Sequence, residues 1–487
     1  MTWAAVVAGC AVVVEYGLKL IAIGTVPENR RPASSSAWLL LILFLPVIGF
    51  PLYWLIGSPY VRGRRHRIQD EVNRGLVEGR EHLPGAPADA VADPGLASVL
   101  QMNQRLTGLP FTSGTHEAIY PDTAAFFAAL AAAIDEAREF VHVEFYIVSW
   151  DEATAPVFEA LARASARGVE TRLLMDHLGS RKYPGRKQLG GRLTAAGIEW
   201  HLMMPIKPLE RRWRRPDLRN HRKLVVIDGE RAFLGSHNLI APSYGSAKNI
   251  ASGRAWSDVS LQVSGEIVAS ASIVFATDWY TETGEMFVSD RYLRVPAPSA
   301  VGGPGHAMQL VPSGPGYPTE PNLRLFTSLI NHATSRVAIT SPYFVPDDSL
   351  LAAITTAAYR GVEVELFVGE QADQFLVGHA QRSYYAALLE AGVTIHLYPP
   401  PTVLHAKYLT VDDRIAVIGS SNMDFRSFAL TYEVMLLAFG GDLVDRLQRN
   451  DADYRSVSRV LTREEWQQRP WRQRYVDNVC RLTAALM

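Results

Sequence analysis

Two stretches of this chain repeat one another without a gap. HRKLVVIDGERAFLGSHN, from His221 to Asn238, returns as HAKYLTVDDRIAVIGSSN, from His405 to Asn422. His221, Lys223, Asp228, Gly235, Ser236 and Asn238 thereby match His405, Lys407, Asp412, Gly419, Ser420 and Asn422 at one constant offset. A repeat of this kind predicts two similar units that meet rather than one continuous domain. Shorter echoes precede it in the same order. Arg167-Gly168-Val169-Glu170 recurs as Arg360-Gly361-Val362-Glu363, each after an Ala-rich helical stretch and before a short apolar strand (TRLLMD, VELFVG). Ala196-Gly197-Ile198 recurs as Ala391-Gly392-Val393 before EWHL and TIHLY. Strands alternating with helices predict a parallel α/β sheet in each half.

The 487 residues leave room for more than these two units. Ile68 to Pro94 (with LPGAPADAVADPG) and Val295 to Pro318 (VPAPSAVGGPGHAMQLVPSGPGYP) are rich in Gly, Pro and Ala and read as linkers. The expected organisation is a membrane segment over 1–60, a linker over 61–95, a first lobe over 96–294, an interlobe linker over 295–318 and a second lobe over 319–487. That last lobe ends in an amphipathic helix (EEWQQRPWRQRYVDNVCRLTAALM) that packs as a terminal element.

Ala37 to Ile56 runs for twenty residues without a charge, enough to cross a bilayer as a helix. Its Pro46 and Pro51 are tolerated in lipid, and Trp38, Tyr53, Trp54 and Tyr60 fit interfacial anchors. Trp3 to Val26 reads as a second span, with Glu15 and Lys19 paired on one face. A cleaved signal peptide is the alternative, opposed by the lack of Lys or Arg before it and of a cleavage site after it. Two spans put both chain ends on one side. Arg62, Arg64, Arg65, Arg67 and Arg74 outweigh Arg30 and Arg31, which predicts that the large region after the spans lies in the cytoplasm.

The net charge of −1, from 48 basic and 49 acidic residues, excludes a surface-wide polyanion binder, so any basic site is local. Cys10 and Cys480 alone supply neither a disulfide framework nor a zinc cluster. The chemistry falls to the repeated motif. Along a strand His221 and Lys223 share a face while Asp228 points away, which gives Asp228, and likewise Asp412, a structural role. Asp228-Gly229 and Asp412-Asp413 sit where a hairpin turns, and the returning strand brings Ser236 and Asn238 opposite His221 and Lys223. Each half thus offers an imidazole, an ammonium, a hydroxyl and an amide.

A Lys beside the His disfavours a bound cation, and no metal or cofactor is expected. The patch suits a phosphodiester, with Lys supplying charge and Ser236, Asn238, Ser420 and Asn422 directed hydrogen bonds. Two such patches around one phosphorus permit a two-step displacement. One His attacks to form a phosphohistidine, and the other protonates the leaving alkoxide and then deprotonates the incoming alcohol. Glu433 (LTYEVML) and Asp258 (WSDVSL), in strand-like runs, are candidates to orient the rings.

These residues resemble the phospholipase D superfamily, marked by two copies of H-x-K-x4-D followed by G-S-x-N. More narrowly, HVEFYIVSWD from His142, SPYFVPDDSL from Ser341, the PVIGFPLYWLIG segment and the Arg-rich stretch before His221 resemble bacterial cardiolipin synthases. The resemblance implies two repeated α/β lobes sharing one active site, preceded by two transmembrane helices. It places His221, Lys223, Asp228, His405, Lys407 and Asp412 in the catalytic motifs, with Asp258 and Glu433 supporting the histidines. The first half departs from the pattern by about eleven extra residues before its His, and by an Asp in place of a Glu at a longer spacing. The implied reaction moves a phosphatidyl group from one phosphatidylglycerol to another with release of glycerol, at the bacterial inner membrane. His221 is the expected nucleophile and His405 the general acid.

The extra segment, KPLERRWRRPDLRNHRK, carries eight Lys or Arg between Lys207 and Lys223. Contact with anionic lipid headgroups is the expected use, through Arg211, Arg212, Arg214 and Arg215, and no nucleic-acid partner is expected. The same phosphate patch also suits a hydrolytic phospholipase D or transfer to another alcohol, and the basic segment alone would suit a tethered nuclease.

Overall fold

The computed structural model describes residues 3–28, 32–57, 93–207, 212–285, 291–292, 306–317 and 319–482. Among the described residues the first lobe contributes seven strands to the main path of the sheet: β1 (Phe111–Tyr120), β2 (Phe140–Phe145), β3 (Glu170–Asp176), β4 (Glu199–Met203), β5 (Lys223–Ile227), β6 (Arg231–Gly235) and β7 (Ser260–Ser264). The second repeats them as β8 (His306–Ser313), β9 (Arg336–Thr340), β10 (Glu363–Gly369), β11 (Thr394–Tyr398), β12 (Tyr408–Val411), β13 (Ile415–Gly419) and β14 (Thr431–Phe439), and adds β15 (Arg459–Leu461). The spatial order is β15-β11-β10-β9-β12-β13-β14-β8-β1-β7-β6-β5-β2-β3-β4. Read outward from the antiparallel β1–β8 pair, the two halves run in the same order, so the lobes are related by a pseudo-two-fold axis at that seam. The expected α/β repeat is therefore one continuous sheet.

The short echoes are its crossover corners. Gly168 (φ +86°) and Gly361 (φ +89°) turn the chain from the helices Ala155–Ala166 and Asp348–Tyr359 into β3 and β10, a left-handed step that glycine makes without a Cβ penalty. Each lobe then places a helix after its last repeated strand, α4 (Ile267–Thr283) and α5 (Asp442–Val457), against one face of the sheet.

Two boundaries differ from the sequence expectation. The segment read as an interlobe linker ends in β8, a buried central strand; its flanking Pro and Gly disguised a run, AMQLV, that is covered on both faces. Helix Pro94–Thr107, at the start of the expected first lobe, instead packs Leu96, Val99 and Leu100 into the second lobe's core, with Asn103 Nδ2 donating to Gln309 Oε1 at 3.0 Å. The terminal helix α6 (Trp471–Arg481) packs on helix Phe375–Arg382, where Asp477 meets His379 Nδ1 at 2.7 Å.

The two expected membrane spans are not confirmed in the N-terminal segment. Among the described residues no helix is long and apolar enough to cross a membrane. α1 (Trp3–Thr25) carries its Glu15–Lys19 pair at 2.5 Å as anticipated. The uncharged run is broken at Leu45 into α2 (Pro32–Phe44) and α3 (Pro46–Leu52), followed by a π-helical turn over Tyr53–Gly57. Pro46 lacks the N–H that would continue α2. Trp38 and Tyr53, expected toward opposite ends of a span, have ring centroids 5.6 Å apart. A straight helix would separate them by about 22 Å at 1.5 Å per residue. The segment folds back on itself and leaves Phe44, Val47 and Trp54 exposed.

Candidate active site

The motif hairpins are set by their turns. Asp228 (φ +54°) and Asp412 (φ +45°) occupy the left-handed region that Asp tolerates. Their carboxylates accept hydrogen bonds from the backbone N–H groups of Arg138, Glu139 and Phe140 in one lobe, and of Thr334, Ser335 and Arg336 in the other. They tie the turn to the entrance of β2 and β9. Though expected among the catalytic residues, they lie at the far end of the strand from the histidines and do not join them.

At the other end the chain leaves its own hairpin. β5 begins at Lys223, and Arg219–Asn220 pair in parallel with Thr431–Tyr432 of the second lobe. Reciprocally, Val403–Leu404 pair with Trp256–Ser257 of the first. His221 N–H donates to the Tyr432 carbonyl at 2.8 Å and His405 N–H to the Ser257 carbonyl at 2.7 Å. The next residue on each receiving strand is the carboxylate. His221 Nδ1 lies 3.0 Å from Glu433 Oε1, and His405 Nδ1 lies 2.6 Å from Asp258 Oδ1. Each histidine is thus oriented by the opposite lobe, and Asp258 occupies the place equivalent to Glu433 despite its longer spacing in sequence.

A carboxylate at Nδ1 fixes the proton there, so Nε2 presents its lone pair. Both rings line one cavity of about 960 Å³, together with Asn238, Asn422, Tyr146 and Tyr343. Asn238 is held by the Ile147 N–H (3.2 Å) and the Tyr244 hydroxyl (2.8 Å). Asn422 keeps a buried Oδ1 without a hydrogen-bond partner among the described residues. Lys223 and Lys407 donate from Nζ to the carbonyls of His221 (2.5 Å) and His405 (2.6 Å), each lysine bracing its own histidine's backbone.

Ser236 and Ser420 depart from the phosphate-binding expectation. Ser236 Oγ accepts from Val259 N–H at 2.9 Å, and Ser420 Oγ accepts from Val434 N–H at 3.0 Å while donating to Glu433. Both are buried in the wall, where they hold the strands that carry the carboxylates. The hairpin geometry assumed from sequence fails here because the chain crosses lobes before His221.

Burial lowers both imidazoles, with Lys223 and Lys407 adding to the effect and the paired carboxylates opposing it; His221 and His405 each fall to about 4. Burial also lowers Lys223 to about 7 and Lys407 to about 8. It would raise Asp258 and Glu433, but the neighbouring histidines and lysines outweigh it and hold both carboxyls below their ordinary values. At neutral pH the rings are neutral, and two carboxylates face a largely cationic Lys407 and a Lys223 near half-protonation, so the centre carries a small negative charge. A phosphodiester adds one negative charge and draws a proton onto a ring.

Sequence reading passed over the tyrosines. Tyr146 stands edge-on to His221 (centroids 4.9 Å) and Tyr343 edge-on to His405 (6.5 Å). The signal lay in HVEFYIVSWD and SPYFVPDDSL, where each tyrosine follows a core strand. It also missed Asp176, buried at the end of β3, whose carboxylate accepts from Asn220 N–H at 3.1 Å and so anchors the residue before His221. The basic segment before His221 is only partly a surface feature. Arg219 and Arg222 are buried and paired with Asp176 (3.4 Å) and Asp278. Arg215 is bound to Asp217 at 2.6 Å, and Arg211 lies outside the described residues.

A family model described as the PLD-like domain of cardiolipin synthase matches residues 130–262 and 326–451. The chain belongs to the cardiolipin synthase family. A second model, the phospholipase D-nuclease N-terminal segment, matches residues 18–58. Among cardiolipin synthases, that of Geobacillus kaustophilus is 33% identical over 464 residues, covering 94% of this chain and 90% of the relative. Cardiolipin synthase A of Proteus mirabilis is 32% identical over 470 residues, covering 94% of each. The phosphatidylserine synthase structure from Haemophilus influenzae shares the fold, with a TM-score of 0.59 at 16% identity over 80% of this chain and 99% of that one.

Proposed function

We propose that this chain is a phosphatidyltransferase that makes cardiolipin from two phosphatidylglycerol molecules, releasing glycerol. The observation that carries the mechanism is the pair of histidines, each held at Nδ1 by the opposite lobe's carboxylate, with both rings lining one cavity. His221 Nε2 attacks phosphorus, the P–N bond forms, and the P–O bond to glycerol breaks. His405, protonated in the complex, gives its Nε2 proton to the departing alkoxide. The second phosphatidylglycerol then loses its hydroxyl proton to His405 and attacks phosphorus, and the P–N bond breaks. Lys223 and Lys407 supply charge through the wall, and Asn238 and Asn422 supply hydrogen bonds at the phosphate.

The acceptor brings a phosphate of its own. Lys182 and Arg254 line the same cavity and suit that second anion. A water molecule or another alcohol would complete the same displacement, so the acceptor pocket decides between transferase and hydrolase.

The apolar outer surface of α1 to α3 supports attachment to the bilayer that holds both substrates, in this reading the bacterial inner membrane. The basic run 62–74 favours its anionic cytoplasmic leaflet. The domain organisation consistent with this is an attachment segment followed by two lobes joined through β1 and β8.

The test uses full-length protein with labelled phosphatidylglycerol under rapid quench. Acid-labile phosphatidyl label on His221, absent in His221→Ala and slow to form in His405→Ala, is the expected result, with glycerol and cardiolipin formed in equal amounts. Label on His405 reverses the roles. Glycerol without cardiolipin makes the enzyme a hydrolase.

A further inference from the structure

At the opposite end of the seam from the catalytic cavity, three side chains of metal-ligand type converge from three elements. His116 lies on β1, His306 opens β8 and Asp442 opens α5. Their ligand atoms all lie within 4.8 Å of one another. His116 is the anchor, with a side chain only 3% exposed. Its Nε2 is 2.7 Å from Asp442 Oδ1 without hydrogen-bond alignment, and its Nδ1 has no hydrogen-bond partner among the described residues. A buried imidazole with neither nitrogen hydrogen-bonded is costly unless something else satisfies it.

The surroundings keep the cluster open. Gly440 and Gly441 take left-handed φ values of +66° and +71° to deliver Asp442. A Cβ at position 441 would stand 2.5 Å from His306 Nε2, so glycine leaves that ring its place. Asp442 Oδ2 accepts from Arg446 Nε at 2.9 Å, an outer partner that orients the carboxylate and leaves Oδ1 facing the histidines. A plain ion pair is a poor account, because the 2.7 Å contact of His116 Nε2 with Asp442 Oδ1 lacks hydrogen-bond alignment and His306 shares the same space. Neutral imidazole is the ligand form.

We propose that His116, His306 and Asp442 bind a divalent transition-metal ion, with zinc the best match to two imidazole nitrogens and one carboxylate oxygen. Tetrahedral zinc, with bonds of about 2.0–2.1 Å, holds ligand atoms about 3.3 Å apart. Small rotations of His306 and Asp442, both reaching the surface, would bring the set to that size, opening the 2.7 Å His116–Asp442 contact as the ion enters. The role is structural. β8 pairs Ala307 with Phe439 at this end and Ser313 with Glu433, the carboxylate that holds His221, at the other, six residues or about 20 Å away. The ion would pin β1 of the first lobe to β8 and α5 of the second.

Full-length protein in detergent, stripped with a chelator and dialysed, is incubated with zinc chloride and desalted; bound zinc is counted by plasma mass spectrometry and thermal unfolding is recorded. One zinc per chain and a raised Tm are expected for the wild type and for the His221→Ala/His405→Ala double variant. Both effects should vanish in His306→Ala and in Asp442→Asn, while these two variants still turn over phosphatidylglycerol, which reports that they fold. No retained zinc in the wild type overturns the assignment. So does zinc retained equally by His306→Ala and Asp442→Asn, or zinc lost only when the catalytic histidines are replaced.

Discussion

Replacing Asp258 by Asn removes the charge that faces His405 across 2.6 Å while keeping the size of the side chain. With charge centres about 4 Å apart and an effective dielectric near 20, that carboxylate stabilises an imidazolium by about 4 kcal/mol. At 1.36 kcal/mol per pKa unit this is about three units, so the protonated fraction of His405 in the complex falls by about 10³. Glycerol release from phosphatidylglycerol should slow by a similar factor, since an unprotonated alkoxide is a poor leaving group. A phosphatidyl ester of p-nitrophenol, whose anion departs without a proton, should recover most of that rate in single-turnover measurements. Glu433→Gln acts on the attacking ring, so the activated ester should not rescue it. Rescue of Glu433→Gln instead of Asp258→Asn would reverse the histidine roles. Equal loss on both substrates in both variants would refute the reasoning, leaving the carboxylates as packing elements.

Between pH 4 and 6.5 the unfolded chain holds protons on His221 and His405 that the folded chain lacks, so urea-measured stability should fall as pH drops through that window, reinforced by the lowered carboxyls of Asp258 and Glu433. The lowered lysines extend the rise with pH from about 7 toward 10.5, and the acid limb should flatten in the His221→Ala/His405→Ala variant. Replacing Arg211, Arg212, Arg214 and Arg215 together by Ala should weaken vesicle binding by up to about 1 kcal/mol per charge, less at high salt, with the share of Arg215 reduced by its bond to Asp217. Arg222→Ala should lower stability by about 3–5 kcal/mol in denaturant titrations, because it removes the guanidinium that balances the charge of Asp278 in the core. A chelator should leave initial turnover at low temperature unchanged while lowering Tm, since the chemistry rests on histidines and the proposed ion on the distant seam.

The motif pair was legible because its residues are close in sequence and repeat in register. The partners of its histidines were not. His221 meets Glu433 across 212 residues and His405 meets Asp258 across 147, and no local pattern states which lobe supplies which carboxylate. Ser236 and Ser420 were misjudged for the same reason, since extending a hairpin back to His221 assumes that the strand stays in its own lobe. β8 hid inside a Pro- and Gly-rich run. The N-terminal spans are not confirmed, and the reversal that brings Tyr53 back to Trp38 was not legible, because hydropathy reports only how apolar a segment is.

The exchange of strands between lobes also orders events in time. During synthesis the first lobe emerges with His221 in place but without Tyr432 to receive its backbone or Glu433 to hold its ring. A nascent chain, or one cut between the repeats, carries a complete H-x-K motif whose histidine lacks the carboxylate that orients it. On the proposed mechanism activity waits for the last repeated strand, and its recovery on refolding marks the joining of the two lobes.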